Sequence, residues 1–194
     1  MSGRLGQTPS QTVGPFYSMR LGGEAQNVIP TPAEGGERIV VTGRVFDGDR
    51  RHVEDALLEV WQAGPAGRFN HPDDRRDLEL DPTFTGFARV MTDFETGVYR
   101  LETVRPGRVP DPHGGLQAPH LSIVLQGRGM LNPVFTRIYF SDESEANAGD
   151  GVLQSVPDER RSTLIATMVE GSEPPTYELD IRFQGDDETV FFDV

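Results

Sequence analysis

Two apolar runs, Ala118-Pro119-His120-Leu121-Ser122-Ile123-Val124-Leu125 and Phe135-Thr136-Arg137-Ile138-Tyr139-Phe140, flank the turn Gly127-Arg128-Gly129. β-Branched and aromatic residues crowd both runs and suit a pleated, half-buried surface. The stretch reads as strand, turn, strand. It is entered through the Pro/Gly-rich loop Arg105-Pro106-Gly107-Arg108-Val109-Pro110-Asp111-Pro112-His113-Gly114-Gly115. Side chains alternate along a strand, so His120 and Ser122 share a face. Histidine at both positions would make a metal-ligand pair, and only one is histidine.

Working outward, the same β pattern recurs. Ile39–Phe46 is rich in β-branched residues, and Asp47-Gly48-Asp49 ends it as a turn. Ala56–Gln62, Phe87–Thr92 and Gly97–Val104 read as further strands. Tyr177-Glu178-Leu179-Asp180-Ile181-Arg182-Phe183 alternates apolar with charged and predicts a half-buried strand. Thr189–Val194 reads as the last strand. Asp142–Asn147 is acidic and predicts a solvated short helix or loop. Asp158 to Met168 predicts one late helix, with Leu164, Ile165 and Met168 as its apolar stripe. Residues 69–82 are polar and irregular, a long excursion of the kind that serves a site or an interface.

Short strands at turn-punctuated spacing with one late helix predict an all-β, two-sheet β-sandwich. Residues 1–37 read as an extended N-terminal arm, because its prolines disfavour helix. Residues 38–194 read as a single domain. The length of 194 residues fits one domain with a proper core. Net charge −13 argues against a nucleic-acid partner. The absence of Cys removes disulfides and thiolate metal sites. Neither a signal peptide nor a membrane span is visible, so the expected compartment is the cytoplasm.

None of the four histidines (His52, His71, His113, His120) pairs with another at zincin or zinc-finger spacing. No nucleophile elbow, phosphate loop or dinucleotide fingerprint is present. Spacing alone gives no active site, and His120 reads first as a hydrogen-bonded structural histidine.

Several segments together nevertheless resemble the intradiol ring-cleavage dioxygenases. They are Glu59-Val60-Trp61-Gln62-Ala63, Gly67-Arg68-Phe69, Leu80-Asp81-Pro82-Thr83-Phe84-Thr85-Gly86, Pro106-Gly107, Ala118-Pro119-His120 and Thr136-Arg137-Ile138-Tyr139-Phe140. The Thr8-Pro9-Ser10-Gln11-Thr12-Val13-Gly14-Pro15 arm and the Glu188–Asp193 terminus extend the likeness over essentially the whole chain. They also narrow it to the alpha chains of two-chain members. The resemblance implies a β-sandwich. In catalytic chains of the family, two tyrosines and two histidines hold a ferric ion, and hard phenolate oxygens suit Fe(III).

Carried over one at a time, the tyrosine positions fall on Arg76 and near Val109. The histidine positions fall on His120 and Ser122. The family's arginine three residues before the first histidine is Gln117 here. The resemblance therefore implies a vestigial site with no metal and no catalytic residue in this chain. Fe(III) is expected in a partner beta chain. Thr12, Gly14, Pro15 and Phe16, together with Arg128, are expected to line the substrate pocket at the subunit interface. Tyr17 is expected to point away from Phe16. The implied reaction converts protocatechuate, a carboxylated catechol, and O2 to 3-carboxy-cis,cis-muconate, in a higher oligomer of alpha/beta protomers. The alternative is a catalytically inert β-sandwich scaffold or binding module.

Overall fold

The structure is a computed structural model and describes residues 6–22, 26–31 and 35–193. Among these residues nine strands form, in chain order: β1 (Arg38–Phe46), β2 (Leu57–Trp61), β3 (Phe87–Met91), β4 (Val98–Val104), β5 (His120–Gln126), β6 (Val134–Phe140), β7 (Ile165–Val169), β8 (Thr176–Glu178) and β9 (Ile181–Arg182). One sheet runs β3-β2-β5-β6-β7 and the other β7-β8-β1-β4, with β9 also on β1. Strand β7 serves both. Its first residues pair with β6 (Tyr139↔Ile165, Phe140↔Ala166), and its last pair with β8 (Met168↔Tyr177, Val169↔Thr176). Apolar side chains from the two sheets meet between them: Leu58, Val60, Leu121, Ile123 and Ile138 from one, Val41, Tyr99, Leu101 and Tyr177 from the other. The expected β-sandwich is therefore present, and its first six strands match the expected runs closely.

Among the described residues, four short α-helices accompany the sheets: α1 (Tyr17–Leu21), α2 (Ser144–Ala148), α3 (Gly151–Gln154) and α4 (Asp158–Arg161). A 3-10 turn, Ser162–Leu164, follows α4. The expected helix from Asp158 to Met168 thus stops early, and Ile165 already lies in β7. Pairing to β6 and β8 overrides the helical stripe: Leu164 and Ala166 are buried two apart, whereas Met168, the last residue of the stripe, is exposed. The acidic segment before it is less solvated than expected, since Ala146 and Asn147 on α2 are buried. The arm is not wholly extended either. Gly14 turns it at a φ of 71°, and α1 begins three residues later.

The alternating run at Tyr177 keeps its period, with Tyr177, Leu179 and Ile181 all buried. It nevertheless splits into β8 and β9 around Leu179 and Asp180. The Asp180 carboxylate accepts from the Arg44 amide at 3.0 Å, and the Tyr99 hydroxyl donates to the Leu179 carbonyl at 2.6 Å. That carbonyl presses onto Gly43, where a Cβ would stand 1.9 Å from it. Only glycine admits such an approach. The terminal run expected as a strand contributes a single bridge, Phe135↔Phe192.

Two polar hubs tie loops to the sheets. Asp150 is fully buried; it caps α3 through the Leu153 amide (2.8 Å) and also accepts from the Ala118 amide (2.8 Å) and the Tyr139 hydroxyl (3.2 Å). Arg105 reaches Glu37 (2.6 Å), Asp142 (2.9 Å) and Glu143 (3.4 Å), and donates to the Tyr177 hydroxyl. Its guanidinium stands 5.2 Å from the Tyr177 ring centroid. Burial and the hydrogen bond to Asp142 push the Tyr177 phenol up to about 12.

Residues 26–29 lie across the open side of the sandwich. The Arg89 amide on β3 donates to the Gln26 carbonyl at 3.0 Å. On β4, Glu102 donates to Asn27 (2.9 Å) and accepts from Ile29 (2.8 Å). Both strands are the outermost of their sheets. Among the described residues, no helix is long and apolar enough to cross a membrane.

Candidate functional site: an arm-and-turn cluster and an open cleft

Strand β5 separates two groups of candidate residues. His120 opens the strand and Arg128 lies just past its end. Seven strand residues span roughly 20 Å at about 3.3 Å each. The two groups are therefore distinct places.

At the His120 end a cleft of about 1010 Å³ is lined by Trp61, Phe69, Arg76 and Val109, among others. Trp61 and Phe69 stack with centroids 5.9 Å apart. Register puts Ser122 opposite both Trp61 and Arg137. Two of the four positions carried over thus line the cleft, and the other two begin the adjoining strand. Neither of the two that line the cleft offers a ligand atom to a metal. Arg76 grips Asp74 with two hydrogen bonds, Nε to Oδ1 at 2.8 Å and Nη2 to Oδ2 at 2.6 Å, and also donates to the Gly67 carbonyl at 2.8 Å. Such a fork is among the stronger charged contacts. Those hydrogen bonds hold the Asp74 carboxyl well below its usual range.

His120 is buried, and its Nδ1 lies 2.8 Å from the Ala118 carbonyl. Burial, helped by the Arg137 charge, lowers its pKa to about 4, so the ring is neutral at pH 7. Gln117 is buried between Asp111 (3.3 Å) and the Arg137 guanidinium (3.1 Å). Its backbone N–H donates to the Val109 carbonyl at 2.8 Å, tying two of the altered positions together.

At the other end, Thr12, one of the five residues expected at a pocket wall, meets the turn that carries Arg128. The Gly129 amide donates to Thr12 Oγ1 at 3.0 Å, which pins the arm to the Arg128 turn. The Gly14 amide shares the same hydroxyl at 3.4 Å. Phe16 is 75% exposed, whereas its neighbour Tyr17, the first residue of α1, is buried. Arg128 stands half-exposed with Nε 3.1 Å from the Asp55 carboxylate. Burial and the Asp55 charge push the Tyr17 phenol up to about 12. Val13, Phe16 and Met19 leave an apolar face uncovered on the arm.

Sequence reasoning did not find Asp55. It sits in Val53-Glu54-Asp55-Ala56, where nothing in the spacing marks one carboxylate as buried. The only hint is its position at the mouth of a strand, immediately before buried Ala56.

A dioxygenase family model matches residues 13–185. The chain belongs to the intradiol dioxygenase family. Within that family it is 45% identical to the protocatechuate 3,4-dioxygenase alpha chain of Burkholderia cepacia, over 98% of each chain. It is 38% identical to the beta chain of the same organism's enzyme, over 84% of this chain and 72% of that one. Its relatives are thus the two chain types of an alpha/beta dioxygenase, and the alpha-chain likeness runs the full length. The fold also matches the dioxygenase domain of a carbohydrate-binding fusion from Streptomyces sp. SirexAA-E, with a TM-score of 0.61 at 19% identity over 98% of this chain and 96% of that one.

The donor set at the cleft can be tested against the ferric ion of intradiol enzymes. A guanidinium stands at one position and is already bound to a carboxylate. Val109 has no donor atom in its side chain, and Ser122 supplies only a neutral hydroxyl. Two anionic phenolates and a second imidazole are what this ion favours. These residues do not fit it.

Proposed function

We propose that this chain is the non-iron-binding alpha subunit of an intradiol dioxygenase that converts protocatechuate and O2 to 3-carboxy-cis,cis-muconate. Fe(III) would be held by the partner beta chain, which would supply the metal chemistry. This chain would complete the wall of that site with Thr12, Gly14, Pro15, Phe16 and Arg128, and the enzyme would assemble from several alpha/beta protomers. The arm and the sandwich, residues 1–37 and 38–194, would act as one unit in that assembly.

One observation carries the reading: the arm is fastened to the Arg128 turn through Thr12 and Gly129. Residues more than a hundred positions apart are thereby joined, the half-exposed Arg128 on the turn and the uncovered Phe16 ring on the arm. A guanidinium recognises a carboxylate through charge-assisted hydrogen bonds, and an apolar wall excludes water around an aromatic ring. Protocatechuate carries both features.

Purification of the chain alone and with its beta partner tests the proposal. The isolated chain is expected to hold no stoichiometric Fe(III) and to be colourless. The pair is expected to hold one iron per protomer. Iron with a tyrosinate-type colour in the isolated chain would overturn the assignment. Iron in the pair without any loss of protocatechuate affinity on Arg128→Ala would favour the inert-scaffold alternative.

A further inference from the structure

The Asp55 side chain is 5% exposed, yet among the described residues its ionic partner is the half-exposed Arg128, at 3.1 Å. An ion pair with one buried member is not an economical way to stabilise a fold. Apolar replacements of such pairs are often neutral or better. What the pair does achieve is direction. Arg128 stands between Gly127 and Gly129, the latter at a φ of 91°, and a long side chain in such a turn would otherwise sample many rotamers. Its Nη atoms donate to no described residue, so that edge of the guanidinium is open.

The platform beneath Asp55 is firm. Thr92 Oγ1 accepts from the Ala56 amide at 2.9 Å and donates to the Val53 carbonyl at 2.8 Å, so it clamps the segment on both sides of Asp55. Across the turn, Thr12 holds the Gly129 amide. Buried Tyr17 fills the space beside both charges, and its hydroxyl has no hydrogen-bond partner among the described residues.

We propose that Asp55 is the positioning residue of the pocket wall: it fixes the Arg128 guanidinium so that its open edge meets the carboxylate of an aromatic acid. This rests on the reading of Arg128 given above. The Asp55–Arg128 pair is neutral as a whole, so it attracts an anion through aimed N–H donors more than through net charge. Orientation therefore matters more here than it would for a free surface arginine.

The test uses the assembled alpha/beta enzyme with protocatechuate, and with catechol, which lacks the carboxylate. Arg128→Met is expected to raise the KM for protocatechuate at least tenfold. Asp55→Asn is expected to raise it about fivefold, with the effect on KM rather than kcat and with no matching rise for catechol. Asp55→Glu should recover part of the loss. The Asp55→Asn/Arg128→Met double variant should match Arg128→Met alone, because the two residues act as a unit.

If Arg128→Met raises KM and Asp55→Asn does not, the positioning role is overturned and the Arg128 reading stands. If Arg128→Met has no effect, both fall. If Asp55→Asn does not assemble, Asp55→Leu/Arg128→Met replaces it, since it removes the pair together. A KM equal to that of Arg128→Met then supports the proposal, and a further rise of more than twofold overturns it.

Discussion

Thr12 Oγ1 accepts a hydrogen bond from the Gly129 amide across a sequence separation of 117 residues. The bond is exposed and single, and a typical net value is about 1 kcal/mol. Thr12→Ala should therefore loosen the arm without unfolding the sandwich. Hydrogen exchange would read this as lost protection at the Gly129 amide and unchanged protection in β5 and β6. Equal protection at Gly129 in both proteins would mean that the bond does not fasten the arm.

Gly43 offers a sharper test of the fold. Any Cβ there meets the Leu179 carbonyl at 1.9 Å, so Gly43→Ala must push two backbones apart. Overpacking of this kind costs on the order of 3 kcal/mol. For a chain of this size that corresponds to a fall in Tm of roughly 6–12 °C. Calorimetry on the isolated chain checks it, and a change below one degree would exclude the close approach.

His120 gives a pH dependence with a definite sign. Its folded pKa is about 4, below the ordinary 6.5, so the unfolded chain binds more protons between those values. Stability from this group is complete above pH 6.5 and is lost as pH falls toward 4. The loss is at most about 3 kcal/mol. Urea titrations from pH 7 to pH 4 should show His120→Gln with the shallower fall. Parallel curves for the two proteins would count against burial as the cause.

Arg105 gathers residue 37, the approach to α2, and β8 around one guanidinium. Lysine keeps the charge but cannot reproduce the fork or lie over the rings in the same way. Arg105→Lys should cost about 2 kcal/mol in urea. Arg105→Met should cost more, because it leaves the Asp142 and Glu37 carboxylates without their guanidinium partner. A lysine variant as stable as the parent would show that charge alone serves the hub.

Much of this architecture was legible in the chain. The runs at Ile39, Ala56, Phe87, Gly97, Ala118 and Phe135 became strands, because each carries β-branched residues and ends at a turn. The late segment misled for a physical reason: Leu164, Ile165 and Met168 satisfy a helical stripe, but β6 and β8 both needed a strand between them. Tyr177–Phe183 kept its alternation and lost its continuity, since the break depends on Gly43 more than a hundred residues earlier. At the candidate site, Thr12 bonds to the turn that carries Arg128, a contact between residues too far apart in the chain for spacing to show. Asp55 was invisible, because a buried carboxylate is recognised by what covers it.

The strip at residues 26–29 gives the arm a second duty. By hydrogen bonding to β3 and β4 it occupies rims that would otherwise be templates for another strand. Shortening the arm past this point would bare two adhesive edges as well as remove the proposed pocket wall. A truncated chain would then tend to self-associate, and its lost turnover would report clumping and a missing wall together. Point changes at Thr12 or Phe16 leave the rims sealed, so they can separate what the arm contributes to chemistry from what it does to keep copies of the chain apart.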